Sequence, residues 1–136
     1  MSGSLADRPR IRLRTVVVDC PDAHELSDFY AALLGWPKTV ETPGWVLMRD
    51  PSGGTGLSFQ SEELYVPPTW PEVPGAPQKG LHLDFLVEHL DAACAHAERC
   101  GATRAPDQFL LPGVVVFLDP AGHPFCLFED PSFQWD

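Results

Sequence analysis

Residues 12–35, RLRTVVVDCPDAHELSDFYAALLG, contain the pattern that decides the fold. The β-branched run over residues 12–19 predicts a strand. A helix is predicted to follow, because Asp22 and Glu25 match a capping box and the next apolar side chains recur at helical spacing. Gly35 is suited to end that helix in the left-handed conformation. The stretch therefore predicts a strand followed by an amphipathic helix.

The order of predicted elements occurs twice along the chain. After the first helix, strand patterns cover residues 37–41, 45–49 and 57–60; from Gly80 the predicted elements are a strand over 81–87, a helix over 90–100, a short strand near Thr103, and strands over 111–118 and 125–128. The turn Asp50-Pro51-Ser52-Gly53 also recurs as Asp119-Pro120-Ala121-Gly122. Such internal similarity indicates a duplicated unit. We therefore predict an α+β fold of two βαβββ modules.

The predicted boundaries follow from this repeat. They are a flexible N-terminus over residues 1–11, a first module over 12–60, a proline-rich crossover over 61–79, a second module over 80–130 and a C-terminal tail over 131–136. The crossover is interpreted as a linker because proline donates no ladder hydrogen bond and favours extended or turn conformations. Its Trp70 is interpreted either as an anchor of the crossover on the core or as part of a cavity mouth.

Composition restricts the partners and the location. The 136 residues fit one domain, and their formal net charge is −10, which disfavours nucleic acids and anionic membranes as partners. The sequence has no apolar run long enough to cross a bilayer and no secretory signal pattern, so we expect the protein in the cytoplasm. Its four cysteines lack CxxC spacing and are expected to be reduced thiols.

Three pieces of the sequence resemble the vicinal oxygen chelate superfamily, in particular its bacterial glyoxalase-like branch. They are FY…LLG over residues 29–35, His82-Leu83-Asp84 with the LDAA of residues 90–93, and DPAGHPFCL over residues 119–127. The resemblance implies that the two modules form one domain with a curled, cup-like mixed sheet, as in glyoxalases, bleomycin resistance proteins and dihydroxybiphenyl dioxygenases. It also implies a homodimer.

Metal-binding members of this superfamily hold a divalent ion with residues from the first and last strands of each module. The matching positions of the first module are Thr15 and Leu57, or Ser58 if the register shifts by one; those of the second are His82 and Cys126. Among them His82 is a good ligand and Cys126 a soft one, whereas a catalytic metal normally has at least three protein ligands. We therefore expect the usual metal site to be lost and no cofactor to be bound.

A rearranged site is the alternative. Asp84 lies two residues beyond His82 on the same strand face, so His82, Asp84 and Cys126 could converge on a divalent ion such as Zn, Ni, Fe or Mn. Without a metal, Asp84 would orient the imidazole of His82 and make it a general base. A structural histidine and a buried, inert thiol would explain the same residues. His82 and Asp84 are the candidate catalytic residues.

Three functions stay open at this point. In the first, a cavity binds a small organic molecule without chemistry, and its candidate lining residues are Thr15, Trp45, Phe59, Trp70, Phe85, His123 and Cys126. The second is a lyase, isomerase or dioxygenase that uses a metal or the His82–Asp84 base. The third is an accessory dimeric module with a filled cavity. The missing metal ligands count against the second, and two polar residues on an inward face count against the third.

Overall fold

Two four-stranded sheets, one from each half of the chain, form the framework of the computed structural model, which describes residues 8–136. The elements in chain order are β1 (Thr15–Cys20), α1 (Ala23–Leu34), β2 (Lys38–Thr42), β3 (Trp45–Met48), β4 (Gly56–Ser61), β5 (Leu83–Leu86), α2 (Leu90–Cys100), β6 (Thr103–Arg104), β7 (Val114–Leu118) and β8 (Pro124–Phe128). The predicted N-terminal segment, residues 1–11, lies partly outside the described residues.

The two sheets have the same topology. Their strand orders are β1-β4-β3-β2 and β5-β8-β7-β6. In each sheet the first strand pairs in parallel with the last, and the remaining pairs are antiparallel. The α+β prediction of two βαβββ modules is therefore confirmed. The sheets are mixed and open, so each has two edge strands, β1 and β2 in the first sheet and β5 and β6 in the second.

Local signals set the ends of α1. The carboxylate of Asp22 accepts hydrogen bonds from the backbone N–H of His24 and of Glu25, at 3.0 and 3.3 Å. Gly35 adopts a φ of 72°, and its N–H donates to the carbonyl of Ala31 at 2.8 Å. A left-handed residue at this place is favourable for glycine because it has no Cβ. The N-terminal cap and the C-terminal stop predicted from the sequence are both present.

Two strands start later than predicted, close to the residue at which their parallel partner strand begins. The strand expected from residue 12 begins at Thr15, because Thr15 pairs with Gly56 and β4 begins there. The strand expected from residue 81 begins at Leu83, which pairs with Phe125; the preceding residue of β8 is Pro124, which has no N–H to donate. Strand length is thus decided by the neighbouring strand as well as by local propensity.

A continuous aromatic core joins the two modules. Tyr30 of α1 stacks on Phe59 of the first sheet, with ring centroids 5.5 Å apart. Phe125 stacks on Phe117 within the second sheet at 5.7 Å and contacts the Tyr30 ring at 6.3 Å. Phe59, Phe117 and Phe125 have no exposed surface. The modules therefore share one hydrophobic core.

Because of Cys20, at the end of β1, we expect the protein to lose stability at alkaline pH. Burial raises the pKa of its thiol from 9.0 to about 11. Below pH 9 the thiol is neutral in both states, whereas between pH 9 and 11 the unfolded chain ionises first and is stabilised. We expect the free energy of unfolding to fall by up to about 2 kcal/mol over this window because of Cys20. Urea titrations at several pH values should show a shallower fall in Cys20→Ala; parallel curves would contradict the prediction.

Candidate functional site

A cavity of about 720 Å³ lies where the edge strand β1 meets the crossover and the start of the second module. Its apolar lining includes Val17, Leu64, Val66, Pro68 and Leu81. Its polar lining includes Asp19, Tyr30, Glu62, Tyr65, Lys79, His82 and His123. This volume falls in the range of sites for small organic molecules, and an apolar wall with a few polar groups is typical of such sites.

His123 and Tyr65 connect the crossover to both modules at one wall of the cavity. The Nε2 atom of His123 lies 2.7 Å from the backbone carbonyl of Asp19. A carbonyl only accepts hydrogen bonds, so Nε2 carries the proton and donates it. The Tyr65 hydroxyl donates to the carbonyl of Ala121 at 2.8 Å and lies 3.1 Å from His123 Nε2. This side of the cavity is therefore held by bonds between segments distant in sequence.

Asp119 holds the turn that presents His123. One carboxylate oxygen accepts from the backbone N–H of Ala121 and of His123, at 2.9 and 3.0 Å. The other accepts from the hydroxyl of Tyr30 at 2.7 Å. Burial raises the pKa of Asp119 and, together with the nearby Asp119 carboxylate, raises that of Tyr30. Tyr30 also lines the cavity, so this network links the helix α1, the turn before β8 and the cavity wall.

His82, Asp84 and Cys126 form a cluster beside the cavity. Asp84 and Cys126 are paired positions of the parallel β5–β8 ladder. The Nε2 atom of His82 lies 3.3 Å from a carboxylate oxygen of Asp84, and one donor atom from each of the three residues lies within 4.8 Å of the others. The structure therefore brings the two candidate catalytic residues together with Cys126, and His82 alone of the three lines the cavity.

The electrostatic state of the cluster follows from its surroundings. Burial and the neighbouring Asp84 carboxylate raise the pKa of the Cys126 thiol to about 11. His82 and Asp84 are less enclosed, with side chains 40 and 58 % exposed. In the absence of a cation, Cys126 is thus a neutral thiol beside a solvated histidine–carboxylate pair.

The remaining predicted cavity residues lie in three different places. Phe59 and Phe85 pack against the Tyr30 ring in the core. Thr15 donates to or accepts from the hydroxyl of Ser58 at 2.8 Å, and Trp45 pairs across the first sheet with Gln60. Among the seven residues that were predicted to line a cavity, only His123 lines the cavity of 720 Å³.

Trp70 lies on the second sheet. It packs against the buried group of Ala105, Val116 and Cys126, and its indole N–H donates to the carbonyl of Asp107 at 3.3 Å. Of the two interpretations of Trp70, this position corresponds to an anchor of the crossover on the sheet.

The sequence reasoning missed several cavity residues in the crossover and beside it. Glu62, Leu64 and Val66 line the cavity, and so does Asp19 at the end of β1. Tyr65, an aromatic residue in a proline-rich segment, was the signal that could have indicated them. Its hydrogen bonds to Ala121 and His123 place the crossover over the cavity, but their partners lie 56 and 58 residues away.

The paired βαβββ modules and the cavity at their junction define a small α+β protein of the glyoxalase-like class. Residues 15–128 match the family described as the glyoxalase-like domain. The chain belongs to this family, and with it to the vicinal oxygen chelate superfamily. The recognition made from the sequence is confirmed.

Known relatives agree with this assignment. The chain is 36% identical over 109 residues to the uncharacterised protein YaeR of Escherichia coli K12, covering 74% of this chain and 82% of YaeR. Its fold is similar to a glyoxalase/bleomycin resistance protein/dioxygenase family enzyme from Burkholderia phytofirmans PsJN, with a TM-score of 0.65, 20% identity and coverage of 88% and 98%.

A second solved structure has an antibiotic-binding role. TnmS3, an antibiotic-binding protein from Streptomyces sp. CB03234, matches with a TM-score of 0.60 and 22% identity, covering 90% of this chain and 98% of TnmS3. At this identity the similarity concerns the fold.

Within residues 8–136, no helix is both long and apolar enough to cross a bilayer.

Proposed function

We propose that the protein binds a small organic molecule in the 720 Å³ cavity. The observation that carries the proposal is the combination of this volume with a wall that mixes apolar side chains and a few polar groups. Asp19, Glu62 and His123 offer hydrogen-bond partners, while Val17, Leu64 and Leu81 offer apolar surface. The fold similarity to an antibiotic-binding protein supports the same class of ligand.

The bound molecule is expected to be mainly apolar with a few polar substituents. Val17, Leu64, Val66 and Leu81 keep large exposed surfaces, between 40 and 91%, in a region that also lines the cavity. Burying such surface contributes about 25 cal/mol per Å² to binding, before the costs of ordering the ligand. The polar groups at the wall would decide the orientation of the bound molecule and the selectivity among ligands.

Filling the cavity should abolish binding of an apolar dye. Val17 lines the cavity and is 40% exposed, so Val17→Trp should occupy the space without disturbing the core. Nile red is a neutral, rigid probe of suitable size. We expect saturable fluorescence enhancement with the wild-type protein and at least about tenfold weaker binding in Val17→Trp, which corresponds to about 1.4 kcal/mol.

Val40→Trp is the matched control for this titration. Val40 is 42% exposed and lies on β2 of the same sheet, but it does not line the cavity. The affinity of the Val40→Trp variant for Nile red should stay within about twofold of the wild-type affinity, a difference below about 0.5 kcal/mol. If the wild type shows no saturable binding, or if both tryptophan variants bind equally well, the cavity is not the binding site.

A second candidate function is catalysis by the same superfamily's chemistry: a lyase, isomerase or dioxygenase. The observation that favours it is the 3.3 Å contact between His82, which lines the cavity, and Asp84 of β5. A carboxylate at this distance orients an imidazole and supports its role as a general base. Turnover of dicarbonyl compounds that is lost in His82→Ala would support this function, and its absence from the wild type would leave binding alone.

The family resemblance also predicts a cytoplasmic homodimer, and both remain predictions. Exposed apolar side chains are consistent with a surface that a second copy covers. Ile11 and Leu13 precede β1 and are 85 and 70% exposed, and the loop of Phe109, Leu110 and Leu111 is exposed by more than half. Patches of this kind often mark protein–protein contacts.

A further inference from the structure

We propose that His82, Asp84 and Cys126 form a binding site for one divalent ion of borderline softness, such as Zn²⁺, with all protein ligands taken from the second module. The inference goes beyond ligand binding in the cavity and does not depend on it. It also differs from the usual arrangement of the superfamily, in which both modules contribute ligands.

The backbone imposes the convergence of the three side chains. Asp84 and Cys126 are register partners on neighbouring parallel strands, so their side chains leave the sheet on the same face. His82 precedes Asp84 by two residues, and side chains two apart along an extended chain share a face. Their meeting is therefore a consequence of strand pairing and of the two-residue period of an extended chain.

The distances suit a small coordination sphere. With metal–ligand bonds of about 2.0 Å for nitrogen and oxygen and about 2.3 Å for sulfur, a tetrahedral ion separates its donors by roughly 3.3 to 3.6 Å. The His82–Asp84 separation of 3.3 Å already has this value, and the three donors lie within 4.8 Å of one another. Because the His82 and Asp84 side chains are 40 and 58% exposed, they can move the remaining distance towards Cys126.

The first module shows what the same backbone positions look like without ligands. Val17 and Ser58 are register partners there, as Asp84 and Cys126 are in the second module, and Thr15 precedes Val17 by two residues. The hydroxyls of Thr15 and Ser58 bond to each other at 2.8 Å. A valine and two hydroxyls are not a metal-binding set, so replacement of all three by histidine, aspartate and cysteine distinguishes the second module.

The donor chemistry selects the ion. Imidazole nitrogen, carboxylate oxygen and thiolate sulfur together suit zinc, whereas Mg²⁺ and Ca²⁺ prefer oxygen alone. One carboxylate and one metal-bound thiolate also balance the charge of a divalent ion, and the thiol proton leaves to solvent. Three protein ligands leave a coordination position for water or a ligand, as in catalytic sites.

The surroundings of the cluster are compatible with a cation. The positive charge of Lys79 acts on Cys126, but Lys79 forms an ion pair with Glu72, and its ammonium group lies over the Trp70 ring at 5.1 Å. Cys126 also packs with Ala105 and Val116, so the sulfur side of the site is apolar. On this side, where water is excluded, the attraction between an ion and the Cys126 thiolate is stronger, whereas His82 and Asp84 face solvent.

Cobalt titration of untagged, chelator-treated protein tests the proposal directly. Co²⁺ bound to cysteine produces a thiolate-to-metal charge-transfer band in the near ultraviolet, in addition to the visible bands of a low-symmetry site. We expect these bands to saturate at one equivalent of Co²⁺ and to disappear when Zn²⁺ is added. Elemental analysis after dialysis against Zn²⁺ should find one zinc per chain.

Variants separate this cluster from other metal-binding side chains. Cys126→Ser should remove the charge-transfer band, whereas Cys94→Ser should keep it, because Cys94 is similarly buried but lies on α2 outside the cluster. Asp84→Asn and His82→Ala should weaken Zn²⁺ binding by about 100-fold or more, since loss of a supporting residue alone costs 10- to 100-fold.

The outcomes are distinguishable from one another and from those of the dye experiment. If Cys126→Ser does not fold, the exposed Asp84→Asn variant decides the question through zinc affinity alone. Absence of one-equivalent binding by the wild type, or a charge-transfer band that survives in Cys126→Ser, would overturn the proposal and identify the cluster as a plain ion pair. Failure of Nile red binding with intact cobalt binding would reject the cavity proposal only.

Discussion

Replacing Phe125 by alanine is expected to lower the free energy of unfolding by about 3 to 5 kcal/mol, the range for truncation of a buried aromatic ring. Phe125 has no exposed surface, and its ring contacts those of Phe29, Tyr30, Phe85 and Phe117. Its removal would leave a cavity where the two modules meet. Chemical denaturation followed by far-ultraviolet circular dichroism measures the loss.

Phe133→Ala is the control for this experiment. Phe133 is 49% exposed and pairs with Trp135 near the C-terminus, so its truncation should cost less than about 1 kcal/mol. If the Phe125 variant lost no more stability than this control, the aromatic cluster would not be the shared core of the two modules. Two separate unfolding transitions in the wild type would contradict the shared core as well.

The second large effect is expected at Asp119. We predict that Asp119→Ala lowers the free energy of unfolding by about 3 kcal/mol. The change leaves the buried Tyr30 hydroxyl and two backbone N–H groups without their acceptor, and each unsatisfied buried group costs about 1 to 3 kcal/mol. The cost is moderated because the burial that raises the pKa of Asp119 also penalises its charged form.

The repeat in the chain offers a matched control. Asp50 stands at the equivalent turn of the first module, where its carboxylate accepts from the backbone N–H and hydroxyl of Ser52 in an exposed position. Asp50→Ala should therefore cost only about 0.5 to 1 kcal/mol, the net worth of an exposed turn hydrogen bond. Asp119→Asn should lie between the two because its amide oxygen can still accept from the turn. Equal losses at Asp50 and Asp119 would show that the bond to Tyr30 contributes nothing.

These two turns also show why the duplicated fold could be predicted. The DPSG and DPAG sequences, the capped helix that ends at Gly35 and the helix that ends at Gly101 are local signals. Each depends on hydrogen bonds between residues a few positions apart, so the order of the elements can be deduced without knowing the tertiary structure. The start of α2 is different: the N–H of Leu90 donates to the carboxylate of Glu129, 39 residues away, and no local signal indicated this bond.

The candidate site likewise contains residues that local sequence placed and a residue that long-range strand pairing placed. His82 and Asp84 were placed on one face from the two-residue period of a strand, and their 3.3 Å contact follows from that period. The proximity of Cys126 was suggested by the resemblance, and the β5–β8 register brings it into the cluster.

The position and the lining of the cavity, by contrast, depend on the tertiary structure. The aromatic residues Phe59 and Phe85 were expected at its wall because large rings are common in ligand sites, but their rings complete the core against Tyr30. Side-chain type does not distinguish a core ring from a cavity ring, since both bury the same apolar surface. The crossover residues Glu62 and Leu64 line the cavity instead.

The sequence by itself thus determined the two βαβββ modules, the helix ends, the membership of the glyoxalase-like family and the shared face of His82 and Asp84. The modules, the helix ends and the shared face arise from periodicity and from hydrogen bonds over short separations, whereas the family was recognised from the resemblance of short motifs. Only the tertiary structure decided where the cavity lies, because its wall combines the end of β1, the crossover and the start of the second module. Contacts such as His123 with Asp19, 104 residues apart, depend on how the modules pack, and no local pattern encodes that packing.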